Sequence, residues 1–108
     1  MYRISNVTRK DLPEILNLLK KCDLDFKRNI SDLEKAKKIS DVFLVYKNKG
    51  KNVVTTVRAI FDGYYCILFD LAVKPEFRNR GIGELLMKKS RKEVKETRGK
   101  VCFSKFKR

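Results

Sequence analysis

The apolar positions change period several times along this chain, and each change marks an element. Tyr2 to Val7 alternates well enough for a short first strand. Leu12, Ile15, Leu16, Leu19 and Cys22 then fall at helical spacing, with Thr8 or Asp11 as the cap and Pro13 tolerated in the first turn. A polar stretch from Asp23 to Asn29 follows. Ser31 and Glu34 have the spacing of a capping box for a second, shorter helix running to about Ser40, with Leu33, Ala36 and Ile39 as its modest apolar content.

From Asp41 the pattern turns β-rich. Val42 to Tyr46 leads through a turn at Lys47–Lys51, containing Gly50, into Val53 to Phe61. Asp62-Gly63 is a strong hairpin signal, and a long strand runs from Tyr64 to Val73. That strand is nearly continuous in apolar residues, so both of its faces should be covered. A loop from Lys74 to Asn79, containing Pro75, precedes a helix that starts near Gly81 or Gly83. Ile82, Leu86, Ser90 and Val94 form its inward row, supported by Leu85 and Met87. Glu84–Lys88, Lys89–Glu93 and Lys92–Glu96 are i,i+4 pairs on its outer side, and Gly99 ends it. Lys100 to Ser104 is a last short strand. Strand, loop, helix and strand make a βαβ unit, whose strands run parallel. The expected fold is therefore α/β, a mixed sheet with helices on both faces. Its order is strand, two helices, three antiparallel strands, helix, parallel strand.

A length of 108 residues suits one small domain with a thin core, spanning 1–108. Charge is the unusual feature: 27 Lys plus Arg against 13 Asp plus Glu, a net charge of +14. Such a surface attracts polyanions, whether nucleic acid, an anionic cofactor, an acidic protein or a membrane surface, and by itself names none of them. The chain has no histidine, which removes the Ser/His and Cys/His nucleophile arrangements. Cys22, Cys66 and Cys102 are widely spaced with no CxxC pair, so a zinc site would lack ligands. Scattered thiols and the absence of an apolar leader suggest the cytoplasm. No apolar run reaches the roughly 20 residues of a membrane span.

The candidate chemistry lies at Arg78-Asn79-Arg80-Gly81-Ile82-Gly83, between the long strand and the helix. The first turn of a helix has unpaired N–H groups and the positive end of the dipole, so it can hold an anion. Gly81 and Gly83 take away side chains that would keep a phosphate at a distance. Arg78 and Arg80 add charge and forked donors. A pyrophosphate fits this better than a carboxylate does. The pattern is neither the dinucleotide fingerprint, whose first glycine is missing, nor a P-loop, since no Gly-Lys-Ser/Thr follows.

The run from Asp70 to Met87 resembles the acetyl-CoA-binding core of the GNAT family of N-acetyltransferases, with its pattern Arg/Gln-x-x-Gly-x-Gly/Ala after a strand often ending Val-x-Pro. The upstream Asp62-Gly63 hairpin and the order of elements match as well. The resemblance implies a cosubstrate, acetyl-CoA. Its pantetheine arm would pair with the backbone of Leu71, Ala72 and Val73 at the family's strand bulge, and the Val73 N–H would polarise the thioester carbonyl. Backbone N–H groups from Asn79 to Gly83, Ile82 included, would hold the pyrophosphate, assisted by Arg78 and Arg80. Asp70, beside the expected thioester, is the candidate for the base that deprotonates an amine or for holding the substrate cation. As a base it would need burial to raise its pKa toward useful values; the competing reading is a solvated or salt-bridged aspartate at the strand end.

Family members usually continue with another helix and further strands, often with an acid tyrosine, so the resemblance implies a short member. The edge of its last strand would invite pairing with a second copy. The leading functional expectation is transfer of acetyl to a primary amine, on a protein lysine or N-terminus or on a small amine. The alternatives are an acetyl-CoA-binding module without transfer activity, and a basic nucleic-acid-associated protein. No base-reading motif supports the last.

Overall fold

A computed structural model describes residues 2–49, 52–98 and 103–106. The elements in chain order are β1 (Tyr2–Asn6), a 3-10 turn at Arg9–Asp11, α1 (Leu12–Lys21), α2 (Ile30–Ile39), β2 (Val42–Asn48), β3 (Asn52–Phe61), β4 (Tyr65–Val73), a second 3-10 turn at Pro75–Phe77, α3 (Ile82–Arg98) and β5 (Phe103–Phe106). The five strands form one sheet in the order β1-β2-β3-β4-β5. β1 to β4 run antiparallel to their neighbours, and β5 lies parallel to β4, as the βαβ reading requires.

Two apolar clusters sit on opposite faces of the sheet. On one, Leu12, Ile15, Leu18 and Leu19 of α1 and Leu33 of α2 pack on Phe43, Val45, Val53 and Ala72. On the other, Ile82 and Leu86 of α3 pack on Val42, Leu44, Val57, Ala59, Cys66 and Leu68. Adjacent residues of β2 therefore serve different layers, which is what a pleat with period two dictates when both faces are covered.

Helix starts show how local chemistry is settled by context. Thr8 and Asp11 act together: the Thr8 N–H and hydroxyl donate to Asp11 Oδ2 at 2.9 and 3.0 Å. The cap expected at Ser31 with Glu34 is instead made two residues earlier. Asn29 Oδ1 accepts from the Asp32 N–H at 3.0 Å, and Asp32 Oδ2 accepts from the Asn29 N–H at 2.9 Å. The earlier start brings Ile30 into α2, where it packs on the α1 cluster. The hairpin glycine Gly50, the helix-ending Gly99 and the strand residues Lys100–Cys102 lie outside the described residues.

β4 carries the feature that shapes the site. Thr56 pairs with Ala72, but Arg58 pairs with Phe69, so Asp70 and Leu71 together face Val57 alone. This is a β-bulge, and Asp70 sits in it at φ 57°. The extra residue inverts the alternation: Cys66, Leu68 and then Leu71 belong to the α3 side, while Ala72 belongs to the α1 side.

Candidate active site

Among the described residues β5 pairs with Tyr65–Leu68. Among the described residues no strand runs beside Phe69–Val73 on that side, and the backbone of β4 is left with an open edge. A cavity of about 550 Å³ lies there. Leu71, Ala72 and Val73 form one wall, Arg78, Asn79 and Gly81–Glu84 a second, and Cys22 and Leu24 from the segment after α1 a third. Of the residues singled out in the sequence, the cavity gathers Leu71, Ala72, Val73, Arg78, Asn79, Gly81, Ile82 and Gly83. Arg80 does not line it; its guanidinium lies 5.1 Å from the centre of the Phe77 ring.

α3 begins beside this cavity. The bond from the Leu85 N–H to the Gly81 carbonyl, 3.0 Å, closes its first turn. In a helix that starts so, the N–H groups of Ile82, Gly83 and Glu84 precede any intrahelical acceptor. Asn79 and Gly81 have φ of 64° and 77°, with an ordinary residue between them. Alternation of this kind turns successive N–H groups toward one concave side, a form suited to an anion. A methyl group at Gly83 would meet Val73 Cγ2 at 3.5 Å, an ordinary contact, so the approach of the helix to β4 does not itself require a glycine here. Arg78 is turned back over the strand end. Its Nε donates to the Val73 carbonyl at 3.1 Å, and its Nη2 lies 3.5 Å from Cys22 Sγ, whose thiol in turn reaches that same carbonyl at 3.6 Å.

Of the readings open for Asp70, the geometry is that of an ion-paired aspartate. Its carboxylate is buried and doubly paired. Arg28 Nη1 and Nη2 donate to Oδ2 and Oδ1 at 2.9 and 2.8 Å, and Arg58 Nε donates to Oδ2 at 2.8 Å. Burial pushes the carboxyl upward, but the hydrogen bonds and charges of Arg28 and Arg58 outweigh it and hold the group below the ordinary carboxylate range. A carboxylate shared by two guanidinium groups is a poor proton acceptor. The carboxyl is thus held low rather than raised, and its charge is shared between two arginines.

Arg28, Arg58, Cys22 and Leu24 were not among the expected site residues. Arg28 is 42 residues from Asp70 along the chain, and no local pattern announces such a pair. Arg58 did carry a signal: a lone arginine inside the run Val53–Phe61, where a charge needs a buried partner.

Residues 39–107 match the profile of the acetyltransferase (GNAT) domain. The chain belongs to the GNAT acetyltransferase family. GNAT acetyltransferases use acetyl-CoA as acyl donor, so acetyl-CoA is the cosubstrate that goes with this fold. Solved GNAT-like structures align over all of this chain. One is an acetyltransferase of the family from Streptococcus pneumoniae, 25% identical with a TM-score of 0.72 and 74% of its own length covered. Another is glucosamine-6-phosphate N-acetyltransferase from Arabidopsis thaliana, 13% identical with a TM-score of 0.77 and 82% of its length covered. A third, a predicted acetyltransferase from Clostridium acetobutylicum solved with acetyl-CoA, is 14% identical with a TM-score of 0.76 and 81% covered. At 13–14% identity the last two likenesses carry the fold. Among the described residues no helix is long and apolar enough to cross a membrane.

Proposed function

We propose that this GNAT chain is an N-acetyltransferase that takes acetyl-CoA in the cavity between β4 and α3 and passes the acetyl group to a primary amine. The observation that carries the proposal is the joining, in one cavity, of an open strand edge at Leu71–Val73 with the start of α3. The two walls suit the two chemistries of the cosubstrate. Backbone groups of Leu71, Ala72 and Val73 pair with the amides of the pantetheine arm, and the Val73 N–H is the donor toward the thioester oxygen. N–H groups from Asn79 to Gly83 take the pyrophosphate, with Arg78 supplying charge at the cavity wall and Arg80, outside the lining, adding to the local positive field. Bound there, acetyl-CoA supplies an activated acyl group. The protein's part is to orient it and keep water from the thioester.

The acceptor amine must be neutral to attack. With Asp70 neutralised by arginines, its proton leaves to water rather than to that carboxylate. Glu84 also lines the cavity, but it stands exposed at the start of α3 and pairs with Lys88 at 3.6 Å.

Calorimetric titration with acetyl-CoA tests the site, using the wild-type protein beside an Arg78→Glu, Gly81→Glu double variant. Binding by the wild type that is lost in the variant supports the assignment. A panel of amines then separates transferase from binding module through release of free CoA thiol. Absence of binding by a folded wild type would refute the proposal.

A further inference from the structure

Acyl transfer does not by itself account for the buried cluster of Arg28, Arg58 and Asp70. Its geometry ties three elements together. Arg58 of β3 holds Asp70 at the bulge, donates through Nη1 to Ser40 Oγ at the end of α2 at 3.1 Å, and lies 4.9 Å from the centre of the Phe69 ring. Arg28 comes from the segment joining α1 to α2. While gripping both oxygens of Asp70, it donates from Nε to the Asp25 carbonyl at 3.0 Å and from Nη2 to the Leu24 carbonyl at 2.6 Å. One guanidinium therefore closes its own loop and pins that loop to the β4 bulge.

The loop needs such a clamp. Asp23, Phe26 and Lys27 have φ of 57°, 48° and 60°, a left-handed conformation that is unfavourable for residues with a side chain. Phe26 is 62% exposed, and its ring is met by the Arg28 guanidinium at 5.7 Å. Strained backbone of this kind persists only where surrounding contacts over-determine it. The same loop places Leu24, and just before it Cys22, on the cavity wall facing the strand end. Leu71, the residue after Asp70, lines that cavity from the other side of the clamp.

We propose that Arg28 and Asp70 form a latch that positions the α1–α2 loop as the wall of the acyl-pantetheine half of the cavity, leaving the phosphate half at α3 independent of it. This rests on the reading of the cavity as the acetyl-CoA site. Arg28 and Asp70 are positioning residues: they act through Leu24, Cys22 and the bulge and do not touch the reacting atoms. Lysine can replace Arg28 only in part, because a single ammonium keeps the charge but has no planar fork to span a carboxylate and two carbonyls at once.

The test compares two ligands on the full chain, well below the melting temperature of every variant. One is acetyl-CoA. The other is adenosine 3′-phosphate 5′-diphosphate, which keeps the pyrophosphate and lacks the pantetheine arm. In Arg28→Ala the affinity for acetyl-CoA is expected to fall about tenfold, because the loop must now be ordered on binding. Affinity for the nucleotide should stay within about twofold. Arg28→Lys should recover part of the loss, and Asp70→Asn should reproduce the selective effect where the alanine variant fails to fold. Hydrogen exchange supplies a readout without ligand: the amides of Leu24 and Arg28 should exchange faster in the variants. Equal weakening of both ligands, unchanged acetyl-CoA affinity in a folded variant, or unchanged exchange in the loop would each overturn the latch. Failure of the wild type to bind either ligand would refute the cavity assignment itself, and the latch with it.

Discussion

Replacing Asp70 by Asn keeps the shape of the side chain and removes the charge that two guanidinium groups share. Breaking a buried pair from one side leaves the partners uncompensated, so Asp70→Asn should lower stability by roughly 3–5 kcal/mol in urea unfolding at pH 7. The pH dependence follows from the depressed pKa. The folded-state carboxyl titrates below its unfolded value, so its contribution is complete above the ordinary carboxylate range and drains away as pH falls through the folded pKa. Asp11, held low against burial by Lys47 at 2.7 Å and by Thr8, acts in the same direction. Unfolding midpoints should fall between about pH 5 and pH 2, and less steeply in Asp70→Asn. The two glycines of the motif also separate at this scale. Gly81 has open space around it but φ of +77°, so alanine there should cost about 1 kcal/mol. Alanine at Gly83, where contacts are ordinary, should be tolerated; thermal melts of the two variants would show the difference. Thr55 offers the reverse case. Its hydroxyl is fully buried with no hydrogen-bond partner among the described residues, so Thr55→Val should raise stability by about 1 kcal/mol.

Among the elements, α2 and β4 are the instructive ones. Two overlapping capping patterns exist at the start of α2, and the chain uses Asn29 with Asp32. Asn29→Ala should therefore cost about 1 kcal/mol in chemical unfolding, and Ser31→Ala much less. The choice between the patterns depends on neighbours: Arg28 is anchored to Asp70, and Ile30 is drawn into the α1 cluster, so the helix opens between them. In β4, strand identity and the approximate span were readable from the apolar run. The bulge was not derivable from that run, because a two-against-one pairing is a relation between strands. The resemblance placed a bulge at Leu71–Val73, and the register places the extra residue at Asp70–Leu71.

At the level of the molecule, charge is the dominant variable. Lys20, Lys21, Lys27, Lys35, Lys37 and Lys38 are exposed on α1, α2 and the loop between them, and hold no ion pair among the described residues. A net charge of +14 on so small a chain repels itself in the compact state. Adding NaCl from about 20 to 300 mM should raise the melting temperature, because the Debye length shrinks from roughly 20 Å to 6 Å. The same titration should weaken binding of the anionic acetyl-CoA, because salt screens the attraction of a positively charged chain for its phosphates. Opposite signs in the two experiments would separate self-repulsion from ligand attraction.

The order of strands and helices, the two-sided burial of the sheet and the position of the Arg78–Gly83 turn were determined by the sequence itself. Each depends on short-range patterns: apolar period, turn residues and glycine spacing between a strand and a helix. Tertiary structure alone decided the partners of Asp70. A carboxylate at the end of a buried strand can be a base or an ion-pair partner, and the outcome depends on what a distant segment brings to it. Here an arginine 42 residues away in sequence closes on the bulge and pairs with the carboxylate.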